Sequence, residues 1–157
     1  MIELANIREM KPDMENWLIV RSYKGNVPVY AKQITDLSPV SGLFYDYRDW
    51  AKQGIWNAKT FEERYVPRFL QQMKDDAAAK TLLNRLYKES KDKDIRLICF
   101  CQDETMCHRS IVGGLLLGAG ADIKCSEEYR KYWDMYKSLP RTICEADKIQ
   151  DIEDRDI

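Results

Sequence analysis

The sequence lacks the features that mark several large classes of protein. It has no apolar run of the ~18 residues that a membrane span needs, and Met1 to Asn6 lack the basic and apolar regions of a signal peptide. Neither sign of charge is in clear excess, because the chain has 25 Lys and Arg residues and 26 Asp and Glu residues. We therefore expect a cytoplasmic protein with no membrane partner. Broad nucleic-acid binding, which needs a basic face, is disfavoured, whereas a small local anion site is compatible with this balance.

Histidine is the scarcest chemically active residue, because His108 is the only one in the chain. Cysteine is more frequent, and its odd count of five predicts free thiols and not a disulfide framework. A chain of 157 residues can bury a hydrophobic core large enough to be stable without disulfide bonds. We predict a single domain over residues 1–144, followed by an acidic and flexible tail over residues 145–157.

Strand-like and helix-like segments alternate along the chain, which predicts an α/β fold. Ser38 with Pro39, and Thr60 with Glu63, have the chemistry of helix starts. The expected architecture is a three-layer sandwich with a mostly parallel, Rossmann-like small sheet flanked by helices. Its predicted strands lie near residues 2–7, 17–23, 95–100 and 121–124, and its predicted helices near 39–52, 60–70, 75–90, 111–117 and 126–136.

The most informative segment runs from Cys99 to Arg109. Within eleven residues it holds three of the five cysteines, the single histidine and an arginine. A strand-like run precedes it and an apolar, helix-like run follows it. Reactive side chains at such a turn lie at the carboxyl end of a strand, where open α/β sheets bind their ligands. We therefore predict the functional site at this turn.

Four residues of the turn are candidates for chemistry. Cys101 and Cys107 are candidate nucleophiles or redox thiols. Cys101 lies at the strand end, where the loop can expose it, and Cys107 lies near the helix start, where helix amides and the helix dipole favour a thiolate. His108 would orient the site or exchange a proton, and Arg109 would hold an anion beside the helix amides. The alternative for each is structural: packing for the cysteines, a fixed hydrogen bond for His108, and a salt bridge for Arg109.

Further binding residues are expected around the same edge of the sheet. Ser110 follows Arg109 in the first helical turn, while Arg21 lies near the end of the strand-like run at 17–23 and Lys24 directly follows it. If the two strands are parallel neighbours, both cations can reach the same pocket. An aromatic set can also stack on a base, although its helical spacing is more typical of core and rim packing: Phe44, Tyr45, Tyr47, Trp50 and Trp56.

Other kinds of cysteine site fit the turn less well. Its spacing does not match the cysteine phosphatase signature, and it has no glycine to wrap an oxyanion, whereas a rhodanese-like persulfide carrier and a Cys101–Cys107 redox pair stay open. Zinc has four suitable ligands in Cys99, Cys101, Cys107 and His108, but in no common paired spacing, and adjacent residues rarely ligate one metal. We therefore assign no metal and no cofactor at this stage.

The segment from Leu97 through Cys107-His-Arg109 to Leu115 resembles the signature of domain-of-unknown-function family 488. Members show an apolar strand that ends in cysteine, a short polar loop, and Cys-His-Arg opening a helix. The resemblance extends upstream, where residues 17–25, 36–43 and 60–65 look like the family's early strand and its two helix starts. One branch has a Trp-Pro-Arg-Gly loop where this chain has Tyr23-Lys-Gly25. The resemblance implies a cysteine-dependent function, without a defined reaction.

These observations lead to one functional hypothesis and one alternative. The hypothesis is a cysteine-centred site that binds or acts on a small anionic or nucleotide-like ligand. The alternative is a non-catalytic binding module for nucleotide, nucleic acid or protein, in which the Cys/His/Arg cluster is structural. The sequence carries no information on the oligomeric state.

Overall fold

A computed structural model describes residues 1–141. The predicted tail at residues 145–157, and the end of the predicted domain at residue 144, lie outside this described part. Among the described residues, none of the helices combines the length and the apolar character that a membrane crossing requires.

The centre of the fold is a five-stranded sheet in which all neighbouring strands are parallel. Strand β4 lies in the middle, between β2 and β1, and the spatial order is β3-β2-β4-β1-β5. Parallel pairing places the carboxyl ends of the strands at one edge of the sheet. The strands are β1 (Ile2–Asn6), β2 (Glu15–Leu18), β3 (Ala31–Gln33), β4 (Ile95–Cys99) and β5 (Ile123–Lys124).

The strands are joined by helices and by short helical turns. The helix of residues Ala58–Thr60, α2, continues through a π-helical turn, Phe61–Tyr65, into α3, and Pro67 lies in the first turn of α3, directly after the π-helical turn. Helix α5 ends at Gly120, whose φ of 91° is the left-handed cap that glycine adopts freely. The helices are α1 (Ser41–Lys52), α2 (Ala58–Thr60), α3 (Val66–Asp75), α4 (Ala77–Glu89), α5 (His108–Ala119) and α6 (Arg130–Ser138).

Alternation along β4 separates two cores. Ile95 and Leu97 face the larger core, which collects the apolar sides of the helices, while Arg96 and Ile98 point to the other face. There Ile98 packs with Ala5 and Leu18, under partly buried side chains from the connecting loops. The predicted α/β sandwich with a parallel, Rossmann-like sheet is confirmed.

Several predicted boundaries differ in detail. Strand β2 ends at Leu18 and not at Tyr23. Beyond it, the carbonyl oxygens of Val20 and Arg21 accept hydrogen bonds from the side-chain amide of Gln33 and not from a neighbouring strand. The residues that cap two helices also differ from the prediction. Ser38 does not cap α1, because its hydroxyl donates to the carbonyl oxygen of Thr35. The helix expected to begin at Thr60 begins earlier, and Asn57 caps it by accepting a hydrogen bond from the Thr60 amide. Strand β3 was not predicted.

Candidate cysteine and histidine site

The strand-to-helix turn folds back on itself, so that its two ends meet. Strand β4 ends at Cys99, and a short 3₁₀ turn capped by Asp103 returns the chain to Cys107, the residue that precedes α5. Cys107 has extended dihedral angles (φ −129°, ψ 146°), whereas His108 begins the helix. This change of backbone conformation lets two adjacent side chains approach the same point.

Three sulfur atoms converge inside this turn. The Sγ atoms of Cys99 and Cys101 are 3.8 Å apart, and the sulfurs of Cys99, Cys101 and Cys107 all lie within 4.8 Å of one another. None of the three is in a disulfide. Cys99 and Cys107 are buried, while Cys101 is half-buried. The fold thus assembles a compact sulfur cluster with one partly accessible member.

The imidazole of His108 completes the cluster. Its Nδ1 is 3.9 Å from Sγ of Cys99 and 3.8 Å from Sγ of Cys107. Its Nε2 contacts the carbonyl oxygen of Ile19, just beyond the end of β2. Because a carbonyl only accepts hydrogen bonds, Nε2 carries a proton, and Nδ1 is the ring atom that faces the sulfurs; in the neutral ring Nδ1 has a lone pair. We name Cys99, Cys101, Cys107 and His108 the thiol cluster.

The surroundings shift the pKa values of the three thiols in different directions. Hydrogen bonds from the thiols of Cys101 and Cys107, and then the nearby His108, hold the pKa of Cys99 well below its ordinary value despite burial. The pKa of Cys101 is raised to about 12, because its contact with Cys99 and its burial outweigh the hydrogen bond with Cys107. Burial also raises the pKa of Cys107. Burial opposes the charge on His108, but the Cys99 thiolate raises the pKa of the imidazole overall.

Arg109 and Ser110 hold the backbone of the turn. The buried guanidinium of Arg109 donates from Nη2 to the carbonyl oxygen of Cys101 over 2.6 Å, and Ser110 Oγ donates to the carbonyl oxygen of Cys107 over 2.7 Å. The Arg109 Nε has no hydrogen-bond partner within residues 1–141. These two hydrogen bonds hold the backbone of Cys101 and Cys107 in place. Neither Arg109 nor Ser110 lines the cavity described next.

The thiol cluster forms the inner end of a cavity of about 550 Å³. Ligand pockets commonly have volumes of this order. The walls are aromatic, and three cations, Arg21, Arg48 and Lys52, lie among the lining residues. All four members of the thiol cluster contribute to the lining, and Cys101 is the most accessible of them. The aromatic walls come from Phe44, Tyr47, Trp56 and Tyr65.

The structure brings most of the sequence-predicted site residues together, but not all. Cys101, Cys107, His108 and Arg21 line the cavity, and Arg21 is held by the Pro39 carbonyl oxygen and the Ser41 hydroxyl, at 3.0 Å and 2.7 Å. Lys24 is exposed and does not line it.

Sequence reasoning missed Arg48 and Lys52. Together with Phe44 they recur every four residues along α1, a helical spacing that places all three on one face. That periodicity was the available signal. It was overlooked because the aromatic residues of α1 were interpreted mainly as core and rim.

Comparison with known proteins places the chain in a family. A family model described as "Active DUF488-N3 subclade" matches residues 2–120, about three quarters of the sequence. That range includes every strand of the sheet except β5 and the whole thiol cluster. Neither the curated proteins nor the solved structures include a match. The chain therefore belongs to the DUF488 family, within its DUF488-N3a subclade.

Proposed function

We propose that the cavity binds a small anion carrying an aromatic ring, of the nucleotide type, and that the protein acts on this ligand through the thiol cluster. The observation that carries the proposal is the composition of one cavity. Aromatic walls, a cationic rim and a sulfur-lined inner end occur together in a volume of about 550 Å³. Each of these surfaces suits a different part of such a ligand.

The aromatic walls suit a planar ring. Tyr47 and Trp56 meet edge to face, with ring centroids 4.7 Å apart, and Phe44 lies 6.4 Å from Tyr47. These rings are fixed by one another and by Tyr65, so a ligand does not have to order them on binding. Stacking of a base on an aromatic side chain is worth roughly 1–3 kcal/mol.

The cationic rim suits a phosphate or a carboxylate. Arg48 and Lys52 are exposed, and within the described part of the chain neither pairs with a carboxylate, although Arg48 lies over the Phe44 ring at 5.9 Å. Arg21 joins them from the loop after β2. Guanidinium and ammonium groups without carboxylate partners retain their capacity to bind an anionic oxygen.

The reactive end of the site is the sulfur of Cys101. It is the half-buried member of the thiol cluster, and a ligand in the cavity would reach it before the buried sulfurs of Cys99 and Cys107. His108 faces the sulfurs and Ile19, so its proton exchange would be with the thiol cluster and not directly with the ligand. Arg109 would act by holding the Cys101 backbone.

Calorimetric titration tests the binding part of the proposal. The probes are AMP, adenosine and inorganic phosphate, and the variant is Arg48→Gln/Lys52→Gln. We expect AMP to bind more tightly than either fragment, and the double variant to lose at least about tenfold in affinity, since a hydrogen bond to a charged group contributes about 1.5–3 kcal/mol. Lys59→Gln, an exposed cation outside the cavity, is the matched control and should bind as wild type does.

Two results would contradict the proposal. One is AMP binding no tighter than phosphate alone. The other is equal affinity in wild type and in the Arg48→Gln/Lys52→Gln variant.

A non-catalytic binding module is the second candidate. The observation that favours it is the engagement of Arg109 and His108 with the backbone oxygens of Cys101 and Ile19, which is a structural role. It predicts that Cys101→Ser binds AMP as wild type does and that AMP is recovered unchanged after incubation with the wild-type chain. Chemical conversion of AMP that is lost in Cys101→Ser would exclude it.

A further inference from the structure

We infer that Cys99, Cys101, Cys107 and Nδ1 of His108 form a four-ligand site for a thiophilic divalent cation, with Zn²⁺ as the best fit. The inference rests on the geometry of the side chains and not on the nucleotide proposal. It differs from the assignment made from spacing, which gave this segment no metal.

Three of the distances between the ligand atoms are close to the edges of a coordination tetrahedron. With Zn–S of ~2.3 Å and Zn–N of ~2.0 Å, tetrahedral geometry requires S···S edges of about 3.8 Å and S···N edges of about 3.5 Å. The edge from Cys99 to Cys101 is 3.8 Å, and the edges from His108 Nδ1 to Cys99 and Cys107 are 3.9 Å and 3.8 Å. All three sulfurs lie within 4.8 Å of one another. The imidazole is close to Cys99 and Cys107 and is not part of the group of mutually close ligand atoms, so the Cys101 and His108 side chains would have to move towards each other to complete the tetrahedron.

The histidine is prepared to act as a ligand. Its Nε2–H is donated to the carbonyl oxygen of Ile19, which is the outer hydrogen bond that metal-bound histidines usually make. That bond fixes the tautomer, so that Nδ1 presents a lone pair. The ring is further held by Phe69, whose centroid is 5.6 Å away. The orientation of the imidazole is thus set before any cation arrives.

The chemistry of the donor set selects the cation. Three thiols and one imidazole are soft or borderline ligands, and Cys₃His is one of the common structural zinc sets. Hard cations such as Mg²⁺ and Ca²⁺ require oxygen ligands, and no carboxylate belongs to the group.

The backbone explains why linear spacing did not reveal the site. Common zinc motifs separate the two ligands of each pair by two or more residues. Here one pair, Cys99 and Cys101, lies at the end of β4 with one residue between them. The other pair, Cys107 and His108, lies at the start of α5 and consists of adjacent residues. The extended conformation of Cys107 lets adjacent residues both face the centre. A closed site of four protein ligands would pin the strand to the helix, and Cys101 would face the cavity as a metal-bound thiolate.

The test measures metal content and coordination in the reduced, full-length chain. We expect one Zn²⁺ per chain by elemental analysis. After exchange to Co²⁺, we expect the visible bands of a tetrahedral ion and a charge-transfer band from thiolate. Cys107→Ser removes one ligand and should lose the stoichiometric ion. Cys101→Ser, at a less buried position, guards against misfolding and should weaken Zn²⁺ binding by at least tenfold.

Cys125→Ser is the matched control, because Cys125 is a free, half-buried cysteine outside the thiol cluster. It should keep both the ion and the charge-transfer band. Equal zinc content in wild type and in a Cys99→Ser/Cys107→Ser variant would overturn the inference, as would a Co²⁺ spectrum without thiolate charge transfer.

Failure of this inference is distinguishable from failure of the nucleotide proposal. Arg48→Gln/Lys52→Gln should lose AMP affinity while it keeps the Co²⁺ spectrum, because neither rim cation touches the thiol cluster.

Discussion

The two ends of the sheet differ in how their buried polar groups are hydrogen-bonded. Near the amino ends of the strands, Arg96 pairs in register with Glu3 on one side and Asn16 on the other. Its guanidinium donates to Glu3, Asp13 and Asn16 over 2.9–3.0 Å. Near the carboxyl ends, three thiols and an imidazole face one another, and the Arg109 Nε has no partner within residues 1–141.

Under the proposed function, the amino end of the sheet serves stability and the carboxyl end serves the ligand site. Buried polar groups are normally satisfied within the protein, and a group that is not needs a reason. At the amino end the network closes on itself. At the carboxyl end the sulfurs and the imidazole converge beside a cavity, and the Arg109 Nε lacks a hydrogen-bond partner among residues 1–141. The predictions below test this contrast, from the largest expected effect on stability to the smallest.

Removal of the buried arginine at the amino end should have the largest effect. Arg96→Met removes the charged hydrogen bonds to Glu3 and Asp13 and leaves the buried Asn16 Oδ1 without its donor, so the free energy of unfolding should fall by about 3–5 kcal/mol in urea titrations. Arg130→Met, which breaks the exposed pair with Glu127, is the control and should cost less than about 1 kcal/mol. Equal losses in the two variants would remove the claim of a structural network.

Arg109→Met makes the corresponding change at the carboxyl end. The side chain is buried but makes one strong hydrogen bond, to the Cys101 carbonyl oxygen. Its loss should lower the free energy of unfolding by about 1.5–3 kcal/mol, which is less than for Arg96→Met. It should also weaken the binding of Zn²⁺, because the Cys101 backbone is released. A larger loss of stability than in Arg96→Met would reverse the contrast.

Glu15, also at the amino end, should make stability depend on pH. Burial opposes its charge, but hydrogen bonds from Lys32, Lys93 and Trp17 prevail and lower its pKa from 4.5 to about 2. A carboxyl whose pKa is lowered on folding stabilises the protein above its unfolded pKa. The contribution should therefore be complete above pH 4.5 and be lost as the pH falls towards about 2.

Comparison of the wild type with Glu15→Gln isolates the contribution of the Glu15 carboxylate to the free energy of unfolding. The site is partly exposed, so we expect the variant to be less stable by about 1–2 kcal/mol at neutral pH, after allowance for solvent screening. The difference should shrink steadily between pH 4.5 and about 2. A difference that is constant across this window would contradict the assignment.

The rim of the cavity should matter least for stability. Arg48→Gln/Lys52→Gln alters two exposed side chains and should change the free energy of unfolding by less than about 0.5 kcal/mol per site, while AMP affinity falls. A comparable loss of stability would make the rim part of the fold and not of a binding site.

The fold class, and the gathering of the cysteines and His108 between a strand end and a helix start, could be predicted because both depend on local pattern. The apolar run of β4, the helix chemistry of the following segment and their order are visible in the sequence. Strand β3 was missed because its three residues, Ala31–Gln33, carry lysine and glutamine at an edge of the sheet, where no apolar pattern is imposed.

The internal geometry of the site could not be predicted, because it depends on distances across the fold. No spacing rule places Ile19 beside His108, yet that contact fixes the imidazole tautomer. Likewise the role of Arg109 depends on whether its guanidinium turns to the cavity or to the Cys101 carbonyl oxygen. Linear spacing is a weak guide to metal ligands when a strand end and a helix start supply two ligands each.

The claim on which this account depends is that the cavity and the thiol cluster form one site. The most direct test is the rate of Cys101 alkylation by iodoacetamide, mapped by peptide, with and without saturating AMP. The account predicts that AMP slows the labelling of Cys101 and leaves the labelling of Cys125 unchanged. Labelling of Cys101 at the same rate in both conditions would contradict it.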